Sequence, residues 1–113
     1  LPQHMTALAR ANEFRFERAR YHGDVRNLGS VDAFHLVAAL LEENPPCLST
    51  LRVGEMLTWV HRVGERRARL IMRHADEEAL LSERATVGGL TARQRAAIVD
   101  HLRAGFDENG RAT

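Results

Sequence analysis

The chain has no lysine and a single cysteine, Cys47. One thiol cannot close an internal disulfide, so no disulfide framework organises the fold and nothing points to an oxidising compartment. No apolar run is long enough to span a bilayer, and no membrane partner is expected. The opening Leu1-Pro2-Gln3-His4-Met5 lacks the basic region and apolar block of a secretory signal, so the cytoplasm is the expected location. No segment alternates as a half-buried strand does, and there is neither a repeat nor a low-complexity block. The histidines at 4, 22, 35, 61, 74 and 101 have no i, i+4 pairing and no Cys/His ligand spacing, so neither a metal nor another cofactor is implied. Asp76-Glu77-Glu78 reads as a solvated acidic helix start, Cys47 as a small buried hydrophobe, and Trp59 as a core side chain. Catalysis therefore has little support, and no enzyme is expected.

What remains is an ordinary globular composition. The chain has 113 residues, 44% hydrophobic and 27% charged, enough for one domain with a core of its own. A net charge of +1 conceals local asymmetry. Residues 62–73 carry Arg62, Arg66, Arg67, Arg69 and Arg73 against the single acid Glu65, while other acids gather in Glu42-Glu43, Asp76-Glu77-Glu78 and Asp107-Glu108.

The periodicity predicts an all-α fold, with a long N-terminal helix packed on a compact helical domain. Ala7, Ala11, Phe14, Tyr21, Val25 and Leu28 predict a first helix over 6–28, its rhythm broken at Arg18 and weakened at Gly23, with Gly29 as its stop. Ser30 is a candidate cap for a central helix running to Glu43, with Val31, Phe34, Leu36, Val37, Ala38, Leu40 and Leu41 apolar. Asn44-Pro45-Pro46 must end it, because proline removes a donor and disfavours helix in the preceding residue. Val53, Met56, Leu57 and Val60 form a buried stripe. A helix to His74 follows Gly64, then a short turn from Asp76 through Leu81. Thr91 and Gln94 form a capping box before a last helix whose inner face is Ile98, Val99, Leu102 and Phe106, closed by Gly105. The expected boundaries are a helix over 1–29, a compact helical domain over 30–106, and a loose tail over 107–113.

The organising stretch is Trp59 to Arg73. Gly64 offers the positive φ of a tight interhelical turn, and the next helix starts beside it with unpaired amides and a positive end. Arg62, Arg66, Arg69 and Arg73 recur at steps of four, three and four, with Ala68, Ile71, Met72 and Ala75 opposite. A row of guanidinium groups beside an anion-ready helix start suits a phosphate backbone. Gly88-Gly89-Leu90-Thr91 repeats the arrangement, with Arg84 upstream and Arg93 and Arg95 in the first turns of the helix, and predicts a second phosphate site.

These residues resemble a known pattern. Val63-Gly64, Arg67-Ala68 and Ile71-Met72, then Gly89-Leu90-Thr91 and Arg93-Gln94-Arg95, look like the helix–two-turns–helix domain. That domain is shared by a small-subunit ribosomal protein family, the formamidopyrimidine-type glycosylases, and the actinobacterial, mycobacterial-type integration host factors. The last resembles this chain best, including members carried by actinobacteriophages; Leu1-Pro2-Gln3 and Arg18-Ala19 also look like that family. The likeness covers most of residues 1–104, with its specific signal in 53–102. It departs where the family's Pro-Gly is His61-Arg62, where the basic cluster before the second turn is reduced to Arg84, and where the family's first-helix lysines are His22 and Gly23, leaving Arg26.

The resemblance implies a nucleoid-associated architectural protein that binds and bends double-stranded DNA with low sequence specificity and assists a site-specific recombinase or integrase. The expected contacts are Arg26, Arg62, Gly64, Arg66, Arg67, Arg69, Arg73, Arg84, Gly88, Gly89, Arg93 and Arg95, in a monomer. The rival readings are a phage-borne helical protein-interaction or regulatory module that has lost DNA binding, and an RNA-binding module.

Overall fold

The chain is described by a computed structural model covering residues 3–77 and 81–113, with side chains from Thr6 onward. Five helices follow one another: α1 Gln3–Arg26, α2 Ser30–Glu43, α3 Val53–Leu57, α4 Glu65–Ala75 and α5 Ala92–Ala104. A short 3₁₀ turn, Pro46–Leu48, lies between α2 and α3. Among the described residues there is no strand, only two isolated bridges, Arg52 with Thr86 and Phe106 with Ala112. The all-α expectation is met. No helix among those described is long and apolar enough to cross a membrane.

α2 is the central element, as its near-continuous apolar surface requires. Ala33, Phe34, Val37, Ala38, Leu40 and Leu41 are buried, and its main neighbour is α5. Val31, expected in the core, is 70% exposed on the first turn, and Leu36 is half-buried. The cap is also displaced by one residue. Gly29 takes the extended N-cap position and Ser30 is already helical, so Gly29 begins α2 instead of closing α1. α1 ends at Arg26 and runs unbroken through Gly23. At the other end Asn44 adopts a left-handed cap with φ 50° just before the prolines, as that tripeptide demands.

Among the described side chains of α1, only those from Phe14 onward meet the protein body. Phe14 and Tyr21 are half-buried and Val25 fully buried, whereas every described side chain from Thr6 to Glu13, Ala7 and Ala11 included, is exposed. The break in the apolar rhythm at Arg18 has a structural cause. Its Nε and Nη2 donate to the Cys47 carbonyl at 3.1 and 2.8 Å, and Nη2 also donates to Thr50 Oγ1 at 3.0 Å. This fork ties α1 to the turn after α2. Cys47 itself is buried, and burial, aided by the Glu17 carboxylate, pushes its thiol upward from the ordinary range. An elevated thiol is the inert kind.

The Val53, Met56, Leu57 and Val60 stripe is buried throughout, although α3 ends at Leu57 and turns carry the chain on. Trp59 is buried, its indole stacked on His22 of α1 with ring centroids 5.0 Å apart. The turn expected from Asp76 to Leu81 falls partly outside the described residues, as do Glu78, Leu1 and Pro2.

The tail corrects the expectation of a loose end. Thr113 N donates to the Gly105 carbonyl, Asp107 N to Arg111 O and Gly110 N to Asp107 O, while Asp107 Oδ1 accepts from the amides of Asn109 and Arg111. Gly110 is buried, and its carbonyl lies 2.7 Å from His101 Nε2. Phe106 packs edge-on to Phe34 and stacks on His101. Residues 105–113 thus form a hydrogen-bonded strap over α5. A second charged tie, Arg103 with Glu42, joins α5 to α2.

Candidate nucleic-acid interface

The reversal between α3 and α4 is made differently from the expected glycine turn. Arg62 has φ 68°, while Gly64 sits in extended backbone at φ −90° and ψ −179°. A left-handed non-glycine residue costs about 1–2 kcal/mol. Placing it two residues earlier lets Gly64 take the extended conformation that an N-cap needs. Gly64 offers no cap side chain, and among the described residues no hydrogen bond engages the amides of Gly64, Glu65, Arg66 or Arg67. Those amides point out of a positive helix end.

α4 then sorts its residues as its period requires. Ala68, Ile71 and Met72 are buried, and Ala75 is half-buried. Arg62, Arg66, Arg69 and Arg73 are exposed, and among the described residues none is in a hydrogen bond or an ion pair. Arg67 is half-buried, with its Nε enclosed and without an acceptor, so it is the least available of the five.

Two adjoining grooves flank this face. One, of about 500 Å³, runs between α3 and the start of α4 and is lined in part by Arg52, Glu55, Gly64, Glu65, Arg69 and Glu83. The other, of about 550 Å³, lies along α4 beside Arg66, Arg69, Leu70, Arg73, Leu81 and Glu83. Arg69 and Glu83 belong to both. Arg52 and Glu83 were not legible as site residues, because they arrive from loops with no periodicity. Val53 N donates to Ala85 O and Val87 N to Leu51 O, which brings those loops together. The arginine face is therefore less free of acids than its own helix suggests.

Comparison with known proteins returns no match. No family model, no curated protein and no solved structure matches the chain.

The second turn departs from expectation. α5 has the full capping box: Gln94 N donates to Thr91 Oγ1, and Thr91 N donates to Gln94 Oε1. The Gly88 amide donates to Ser49 O, and the Gly89 amide to Thr86. Gly88 is needed for close approach: a Cβ there would stand 2.9 Å from the Ser49 backbone O, whereas one on Gly89 meets the Thr86 side-chain Oγ1 at 2.8 Å and backbone only at 3.7 Å. Arg95, placed by sequence at a phosphate, instead points inward. Its Nη1 donates to Leu41 O at 2.6 Å and its Nη2 to Val87 O at 2.7 Å, bridging α2 and the glycine loop. At the second helix start the amides of Thr91 and Gln94, like those of Gly88 and Gly89 before them, are thus occupied internally. Arg84 and Arg93 remain exposed beside it, and Arg26 is exposed at the end of α1.

Proposed function

We propose that this protein binds double-stranded DNA through its phosphates, with α4 as the principal contact. One observation carries the reading: an uncapped helix start at Gly64 lies beside four exposed arginines, Arg62, Arg66, Arg69 and Arg73, that have no partner within the described protein. Outward-facing helix amides attract an anion, and guanidinium forks match phosphate oxygens in geometry. Counterion release from the duplex supplies most of the free energy, so affinity falls steeply with salt and little with sequence. The resemblance to the actinobacterial integration host factors supports the same reading and extends it to DNA bending beside a site-specific recombinase, in the nucleoid. The occupied amides of the second turn make it a weaker contact, through Arg84 and Arg93 alone.

The test is fluorescence anisotropy on two short duplexes of unrelated sequence across a salt series. Both are expected to bind alike, with a log–log salt slope of at least about 4 in magnitude, the share of the four arginines around α4. Arg66→Ala, Arg69→Ala and Arg73→Ala together flatten the slope by about 3 and weaken binding at least about tenfold. Preference for one duplex, affinity indifferent to salt, or indifference to the triple change refutes the reading and leaves a helical interaction module. Displacement of the duplex by structured RNA at equal concentration moves the assignment to RNA.

A further inference from the structure

We infer that the outer face of α1 is a second phosphate-contacting surface, joined to the α4 site through the His22–Trp59 stack; the inference rests on the DNA reading above. Arg15, His22 and Arg26 are spaced by seven and four residues, which holds them within about 40° of one another around the helix. All three are exposed. Neither Arg15 nor Arg26 has an ion pair or hydrogen bond among the described residues.

The acids of α1 avoid this face. Glu13, Glu17 and Asp24 all fall about 160–180° round from it. A merely solvated helix intersperses its charges for i, i+4 support, with acid and base on one face. Arg10 and Arg20 follow that pattern among the acids, whereas Arg15 and Arg26 stand on a side of the helix that carries no acid. Phe14, Tyr21 and Val25 face the protein body, and Arg18, the one basic residue among them, is consumed by the Cys47 carbonyl and Thr50.

Position makes the stripe relevant to DNA. Between Arg15 and Arg26 it runs about 16 Å along the helix, roughly five base pairs of axial rise. His22 lies on the stripe and stacks on Trp59, which anchors this face to the chain just ahead of α4. Trp59 stands five residues before Gly64, a reach of at most about 17 Å. A duplex seated at Gly64 is therefore within range of His22, and in this reading one phosphate strand lies on α4 and the other on α1.

The test compares two pairs of substitutions that remove the same charge from the same helix. Arg15→Ala with Arg26→Ala takes the stripe. Arg10→Ala with Arg20→Ala takes two exposed arginines about 140° round from it. Both variants are first checked for an unchanged melting temperature. The stripe pair is expected to flatten the wild-type salt slope by about 2 and weaken binding several-fold, and its Glu-for-Arg version to weaken it further. The control pair is expected to leave the slope unchanged. Equal effects from the two pairs, or none from either on a wild type that binds, overturn the α1 surface while leaving α4 in place. A wild type without salt-dependent duplex binding overturns both.

Discussion

Arg95 and His101 illustrate how a single residue's environment decides its job. Arg95 stands in the first turn of α5, where a cation opposes the helix dipole, and its sequence position suggests an incoming anion. Its two nitrogens instead satisfy the carbonyls of Leu41 and Val87, which belong to buried residues. Arg95→Ala is accordingly expected to cost about 2–3 kcal/mol in urea unfolding, the penalty of stranding buried acceptors. His101 is buried between Phe106 and the Gly110 carbonyl. Burial pushes its imidazole below the ordinary value, with His74 adding to the effect and the Gly110 hydrogen bond opposing it. A base depressed in the folded state takes up its proton more readily when unfolded. Its contribution is complete above about pH 6.5 and is lost as pH falls toward and through the folded value. Unfolding free energy should therefore be lower at about pH 5.5 than at about pH 7.5, and His101→Gln should remove much of that difference while keeping a donor for Gly110.

At the scale of the element, α4 is defined by what its N-cap lacks. A Cβ at Gly64 meets nothing within 4 Å, so glycine is not there for space, and its φ of −90° does not demand it. Gly64→Asp should raise stability by a few tenths of a kcal/mol, because aspartate caps a helix start better than glycine. The same carboxylate would sit where a phosphate is proposed to bind, so duplex affinity should fall about tenfold or more, as read by anisotropy. A stabilised variant that binds DNA as well as the parent would remove Gly64 from the interface. The helices themselves were largely legible, since apolar spacing, Asn44-Pro45-Pro46 and the Thr91–Gln94 box are local signals. Which turn residue goes left-handed was not legible, because Arg62 bears that strain only for the packing of α3 against α4. Likewise nothing local distinguishes Arg69, which is exposed, from Arg95, which is engaged; their partners lie on other elements. Glu83 and Arg52 escaped for the same reason.

The molecule as a whole depends on an ending that composition alone assigns to disorder. Gly110 has φ 80°, and a Cβ there would stand 2.6 Å from the Leu70 carbonyl carbon and 2.7 Å from the Ile71 nitrogen. The strap therefore lies backbone to backbone on α4, while His101 and Phe106 link it to α5 and α2. Leu70, which falls toward the arginine face, is half-buried and shares the lining of the groove along α4 with Leu81. Gly110→Ala combines left-handed strain with a contact that neither backbone can yield, and should cost about 2–4 kcal/mol. Whether that loss is local or global separates an appended tail from an integral part of the fold. Trp59 reports from the other side of the core, stacked on His22, and far-UV circular dichroism reports all the helices. If the strap belongs to the cooperative unit, the two signals shift together to lower urea with an unchanged m-value, and DNA affinity at low denaturant stays near that of the parent. A strap that peels away on its own would leave the Trp59 midpoint where it was. The arginine face of α4 would then have lost its support from behind while the rest of the protein stayed folded.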